Sequence, residues 1–410
     1  MTVLALGIVS QTGALPAHQP PDRVIRVAIA ARVTRGRIAG DGAWRLIDQD
    51  GHGVPVVRAA AGKGVTLEAR SGQLRAVRED GFPPQAFGGT LVARPTAPDG
   101  VLSWEGKRYR GELAFLATTS GGYTVVNRVP IESYLRGVVP REIGERPREE
   151  RAAAEAQAVA ARSYAYVRAT NDPARDWDVE ATVAHQVYGG ADAERPGSDE
   201  AIARTAGLVL LFAGRVVDAP YHSTCGGSTA EAPEVWRTTG EPFLRRVSDR
   251  IPGTDRYYCD GATRFAWTQS FTGPQLEGLL ARYLGQYATG APAGGPGRVR
   301  ALAIDGRTPS GRAAAVALRT ERGTFVVRGN DMRFVLRAAN GEILNSTYVS
   351  VEQAVVGRDG FLSQLVLRGN GYGHGIGMCQ WGAMGRARAG QDFRTILRTY
   401  YPGVAIGTVE

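Results

Sequence analysis

The sequence predicts an α+β fold that is rich in strands and carries a few short helices. Two patterns lead there. Short alternating apolar and polar runs, bounded by Gly, Asp and Pro, fill residues 23–130 and return after residue 299. Helical spacing of apolar residues is confined to a few segments, the longest following Pro147. Composition agrees: 54 glycines in 410 residues, with 43% hydrophobic and 22% charged residues, describe a folded, loop-rich chain. That length suits two globular domains, or one with an elaborate insertion.

Read in order, residues 1–22 form a signal-like or disordered N-terminus. Val3–Val9 is a short apolar run, and small residues near Ala14 and Ala17 suit a cleavage site, although the positive start of an export signal is missing. A small β-rich module is expected over 23–94, with strands at 24–29, 44–47 and 65–68. The turn cluster from Pro95 to Gly100 marks its boundary. The second domain is expected over 95–410. It opens with strands at 109–116 and 123–127.

A helix is expected from Ile131 to Val138, where Ile131, Tyr134, Leu135 and Val138 share a face. A loop, 139–146, follows. Pro147 suits the first turn of a second helix, and Glu149 and Glu150 its positive end. That helix reaches about Ala169, with Ala152, Ala156, Val159, Ala160, Tyr164 and Val167 as its apolar stripe. Further helices are expected at 198–206, 273–284, 380–389 and 393–400. A hairpin turns at Ala213–Gly214, and a flexible Gly/Ala/Pro-rich excursion is expected over 285–297.

The net charge is +9, from 49 basic and 40 acidic residues. All the basic residues but Lys63 and Lys107 are arginine. No basic run is long enough for a nucleic-acid-binding arm, so nucleic acid is not expected as a partner. No stretch approaches the ~18 consecutive apolar residues of a transmembrane helix.

Four constellations could carry chemistry. Glu142 lies among Val138, Val139 and Ile143. Apolar surroundings raise a carboxyl pKa and so make a general acid, whereas an exposed glutamate would pair with Arg141 or Arg146. Arg162, at the edge of the buried stripe, calls for an anionic partner. The run Tyr221-His222-Ser223-Thr224-Cys225-Gly226-Gly227 sets a histidine and a cysteine three apart. With Cys259 they could hold zinc; Cys225 and Cys259 could instead form a disulfide, or remain free thiols. Alternating glycines from Gly369 to Gly377 let backbones approach closely around His374. His374 could pair with Cys379 as a nucleophile or serve as a buried structural donor.

Taken together, five blocks resemble the SpoIID/LytB family in its order. They are Asn127–Glu142, Glu155–Tyr164, Gln186–Gly190 and Tyr221–Gly227, and then Gly371–Ala383 with Leu397–Gly403. The resemblance covers about residues 95–410. It implies lytic cleavage of peptidoglycan glycan strands at the MurNAc–GlcNAc bond, on strands lacking stem peptides. The alternative it implies is a non-catalytic enhancer of a cell-wall amidase. A third reading is a Cys- or zinc-dependent hydrolase. By the same resemblance Glu142 is the catalytic acid, Arg162 a second catalytic position, and Gln157, Tyr188, His374 and Gln380 substrate-binding residues. His222, Cys225 and Cys259 fall where some members place zinc. An extracytoplasmic location follows. The chain departs from the family at Gly144, where proline is usual in the sporulation enzyme, and at Cys379, where serine is more usual.

Overall fold

The computed structural model describes residues 23–49, 55–119, 121–170, 172–182, 185–338 and 340–409. The expected export signal, within residues 1–22, lies outside them. Among the described residues no helix is long and apolar enough to cross a membrane. Strands outnumber helices, as expected for the α+β class.

Two sheets form the N-terminal part. The larger is seven-stranded, in the order Val179–Glu180, Val24–Val33, Tyr123–Pro130, Glu112–Ala117, Leu91–Pro95, Trp44–Asp48, Pro55–Ala59. The other is six-stranded, in the order Lys107–Arg110, Val101–Trp104, Arg35–Gly40, Val65–Arg70, Gln73–Arg78, Gln85–Phe87. The expected domain break between residues 94 and 95 therefore falls inside shared sheets. Ile25 pairs with Val129, and Val92 with Ala114. The inward-facing residues Ile38, Leu46, Leu67, Leu74, Leu102 and Phe115 join one core between the sheets. Alternating patterns reveal strands, but they do not reveal which distant strand each one pairs with.

On this platform stand α1 (Ile131–Glu142), α2 (Arg151–Arg168) and α3 (Pro196–Arg204). The loop expected from Val139 is the last turn of α1, which runs through Pro140 to Glu142. Pro140 lacks an N–H for the helix ladder, and the helix ends soon afterwards. The Ile143 N–H bonds the Val139 carbonyl, and Gly144 follows at φ +73°, the left-handed closing residue that glycine adopts without strain. α2 is buried on nearly every side because alanine lets α1, α3 and two C-terminal helices approach it closely. Val167, expected in its buried stripe, is exposed.

Further along are α4 (Ala232–Val235), α5 (Gly273–Tyr287), α6 (Asp331–Val335), α7 (Gln380–Arg388) and α8 (Phe393–Tyr400). The first core resumes at Ile376 after a long interruption. Within that interruption, residues from Trp267 to Leu367 build a second hydrophobic core. It is made from α5, α6 and two three-stranded sheets: Ala266–Thr272, Leu362–Asn370, Val349–Val356, and Val299–Arg307, Ala313–Thr320, Gly323–Arg328. The excursion expected to begin at Gly285 begins later, since α5 extends to Tyr287.

The returning chain crosses the first core as a parallel bridge. Tyr221 pairs with Met378, and His222 with Cys379. Of the glycines before it, Gly371, Gly373 and Gly377 lie against residues 220–225, whereas Gly369 faces the Trp267 ring and Gly375 the Arg312 guanidinium. A Cβ on Gly377 would stand 2.0 Å from the Pro220 carbonyl oxygen. The alternation of glycine is thus a packing requirement, set by the neighbouring backbone at Gly371 and Gly377 and by large side chains at Gly369 and Gly375.

Candidate functional site

Glu142 closes α1 beside a loop and the start of α7. Its Oε1 accepts the Val187 N–H at 2.8 Å. The Gln380 side chain also hydrogen-bonds the carboxyl. Burial pushes its pKa above the ordinary carboxylate value, and those two hydrogen bonds and Arg141 only partly oppose the rise. Among the described residues no second carboxylate bears on it.

Gln380 also donates Nε2–H to Gln157 Oε1 at 3.3 Å, so one amide joins α7, α2 and the carboxyl. Both glutamines are buried, and Nε2 of Gln157 has no partner among the described residues. A polar network lies around them. Tyr134 donates to Gln186 Oε1 at 3.1 Å, and Gln186 Nε2 donates to the Tyr221 hydroxyl at 2.8 Å. The Glu142 charge bears on the phenols of Tyr134, Tyr164 and Tyr221. A cleft of about 540 Å³ opens beside this group, lined by Lys107, Pro140, Arg141, Val187, Asp192 and Arg195 among others.

The structure brings Glu142, Gln157 and Gln380 together, with the largely buried Tyr188 lining the cleft beside them, and it places Arg162, His374, His222, Cys225 and Cys259 elsewhere. Arg162 is buried and directed at Glu132, with Nε to Oε1 at 2.6 Å and Nη2 to Oε2 at 2.9 Å. It also donates to the Leu208 and Ile202 carbonyls. Arg162 is therefore a tie among α1, α2 and α3, and it makes no hydrogen bond to Glu142. Five residues separate it from Gln157, which turns it to another side of α2.

Tyr188 is a core ring. It packs on Tyr134 at 5.0 Å between centroids, and its hydroxyl donates to Asn127 Oδ1 at 2.7 Å. His374 is held by backbone. Its Nδ1 accepts the Ile376 N–H at 3.1 Å, and its Nε2 bonds the Tyr221 carbonyl at 2.9 Å. This pair of contacts fixes the neutral Nε2–H tautomer, and burial pushes the pKa down to about 3. No contact of His374 with the Cys379 sulfur forms, so the nucleophile pair is not assembled.

The expected ligand set His222, Cys225 and Cys259 also does not assemble. His222 Nδ1 meets the Ile376 carbonyl at 3.2 Å, and its ring lies 5.4 Å from that of His374. The sulfurs of Cys225, Cys259 and Cys379 gather instead with the carboxylate of Asp249. No disulfide links the cysteines. Burial raises the thiols of Cys225 and Cys379, while hydrogen bonds from both lower that of Cys259. Asp249 could not be anticipated, because nothing in Ser248-Asp249-Arg250 marks it. Gln186, Val187 and Tyr221 lay inside recognised blocks, but nothing marked them out as neighbours of Glu142.

This fold, with a strand platform and a buried helix α2 beneath a lone carboxyl, is an α+β scaffold with a cleft at the end of α1. The SpoIID family model, described as a stage II sporulation protein, matches residues 119–212, which carry α1 to α3. A domain of unknown function (DUF8618) matches 254–377, which includes the second core. An uncharacterized protein of Brachyspira hyodysenteriae is 31% identical over 73% of this chain and 73% of its own length. The amidase enhancer of Bacillus subtilis is 28% identical over 78% of this chain, which spans about half of that protein, 47%. Stage II sporulation protein D of Bacillus amyloliquefaciens is 27% identical over 70% of this chain and 76% of its own. The chain belongs to the SpoIID/LytB family.

Proposed function

We propose that the protein is an extracytoplasmic peptidoglycan lytic transglycosylase with Glu142 as its acid and base. The observation that carries this reading is the buried, hydrogen-bonded carboxyl with a raised pKa, on which no other carboxylate among the described residues acts. Ordinary glycosidases place two carboxyl groups about 5–9.5 Å apart around the scissile bond. A lytic transglycosylase needs one. Its protonated carboxyl gives a proton to the glycosidic oxygen as the MurNAc C1–O bond breaks. The resulting carboxylate takes the proton from the C6 hydroxyl of the same sugar, whose oxygen bonds C1 and closes a 1,6-anhydro ring. The nucleophile belongs to the substrate, so no second carboxylate is required. Val187 and Gln380 orient the carboxyl, and the cleft has a mixed charged lining, Lys107, Arg141 and Arg195 with Glu145 and Asp192, in which the basic groups are one in excess.

The test is digestion of glycan strands stripped of stem peptides, with products read by mass spectrometry. Anhydro-ended products from the wild type and none from Glu142→Gln support the reading. Their absence from the wild type overturns it. The likeness to the amidase enhancer favours a second reading, stimulation of an N-acetylmuramoyl-L-alanine amidase. That reading gains if the protein accelerates such an amidase and Glu142→Gln does so equally.

A further inference from the structure

Cys225, Asp249, Cys259 and Cys379 come from separate parts of the chain and are buried together, with every ligating atom within 4.8 Å of the others. Cys225 Sγ lies 3.5 Å from Cys259 Sγ and 3.2 Å from Asp249 Oδ2. A tetrahedral zinc ion, with bonds of about 2.3 Å to sulfur, sets its ligand atoms about 3.8 Å apart, so the cluster is close to that geometry.

The surroundings point the same way. Asp249 directs Oδ1 to the Tyr400 hydroxyl at 2.6 Å and to Arg386 Nη2 at 3.0 Å, which leaves Oδ2 on the cluster. Cys379 Sγ accepts two backbone N–H groups, from Cys225 and from Gly382, each at 3.2 Å. Paired donors of that kind surround metal-bound thiolates and orient them. A Cβ on Gly382 would stand 2.2 Å from Asp249 Oδ2, so only glycine leaves the carboxylate its place.

Charge gives an independent argument. Three thiolates and a carboxylate around a divalent ion leave a net negative charge in the interior. Two buried guanidinium groups border the cluster. Arg386 binds Asp249, and Arg312 donates to the Cys225 carbonyl at 3.2 Å. Nε and Nη1 of Arg312 have no hydrogen-bond partner among the described residues. A cation buried in this way requires a neighbouring anion.

We propose that Cys225, Asp249, Cys259 and Cys379 bind one zinc ion in a closed tetrahedral site. Thiolate ligands and tetrahedral spacing select zinc over harder cations, and four protein ligands leave no position for water. The role is structural. Cys379 caps α7, whose first residue is Gln380, so the metal would fix the helix end that holds the Glu142 carboxyl. That consequence rests on the reading of Glu142 given above; the metal site itself does not.

The test uses the full chain purified without chelator. Elemental analysis should find about one zinc per chain. Replacement by Co(II) should give thiolate-to-cobalt charge transfer and the strong visible bands of a tetrahedral site. His222→Asn should keep the metal, whereas Cys259→Ser and Cys379→Ser should lose it. If the cysteine variants do not fold, the wild-type cobalt spectrum decides. Wild-type protein without stoichiometric zinc and without a thiolate–cobalt band overturns the proposal, whether its thiols are free or Cys225 and Cys259 are cross-linked. Retention in Cys379→Ser with loss in His222→Asn overturns it equally. None of these readouts depends on glycan cleavage, so failure here and failure of the catalytic reading are distinguishable.

Discussion

Glu142 accepts the backbone N–H of Val187 at 2.8 Å, and burial outweighs that bond in setting its protonation. From an ordinary value of 4.5 the pKa moves up, so the folded protein holds this proton to higher pH than the unfolded chain does. Stability from this group is complete below that ordinary value and is lost as pH rises through the raised one. Glu142→Gln removes the penalty of a buried charge. Its melting temperature should match or exceed that of the wild type at neutral and alkaline pH, with the gap closing in acid. Glycan cleavage should fall by about 10²–10⁴-fold, the usual contribution of a positioned acid. A scan of melting temperature against pH for both proteins checks the first part, and initial rates check the second. A variant that melts well below the wild type at alkaline pH would show that the carboxylate is stabilised where it sits.

Gln380 lowers the Glu142 pKa by hydrogen bonding to the charged form. In Gln380→Ala that bond is lost, so the carboxyl should titrate at still higher pH. The alkaline limb of the pH–rate profile should move up, while the acid limb stays in place. Profiles of kcat/KM for the two proteins measure this directly. An unmoved alkaline limb would detach Gln380 from the acid.

Arg162 and Glu132 provide the clearest case in which geometry redirects a sequence expectation. The arginine side chain is 2% exposed and the glutamate 34% exposed. Breaking a fully buried pair costs about 3–5 kcal/mol. Because Glu132 can recover water once unpaired, Arg162→Ala should cost less than that, about 2–3 kcal/mol after discounting for its exposure. Arg162→Lys should recover only part, since lysine cannot reproduce the two-point grip or reach both carbonyls. Denaturant unfolding measures the loss. Well below its melting temperature, Arg162→Ala should keep most of its cleavage rate, because the Arg162 hydrogen bonds go to Glu132, Leu208 and Ile202 and none to the Glu142 carboxyl. Loss of rate with unchanged stability would reverse that assignment.

The sequence carried local periodicity well. Helical spacing placed α1, α2, α3 and α8 within a few residues, and alternation located most strands. It stopped where distant partners decide. Strand pairing across residue 94 depends on register between Ile25 and Val129, about a hundred positions apart, which no local pattern encodes. The helix expected to end at Val138 continues because Ile143 and Gly144 supply its cap, and Pro140 near the end disguised it. At the site, the block residues Glu142, Gln157 and Gln380 meet. The metal-binding reading instead took the histidine three residues from Cys225. The actual neighbours are Asp249, which no local pattern marks, and Cys379, which approaches only when the chain returns after the second core.

His374 and His222 are buried rings whose protonation opposes the fold in acid. Burial holds both rings neutral, His374 down to about 3 and His222 well below its ordinary 6.5. Around them the charged groups are the buried guanidiniums of Arg312 and Arg333, which oppose a further positive charge. Protonating His374 would also place a hydrogen on Nδ1, which now accepts the Ile376 N–H. The unfolded chain takes up protons near pH 6.5, and the folded chain does so only far lower. Stability is therefore full above about pH 6.5 and falls as pH drops toward 3, by at most about 1.4 kcal/mol per pH unit for each ring. His374→Gln, which keeps a donor and an acceptor but no titrating group, should flatten that slope by up to one proton's worth. Denaturant midpoints between pH 7 and pH 4 measure it. An identical slope in the variant would place the acid sensitivity elsewhere, with the carboxylates of the surface ion pairs next to be examined.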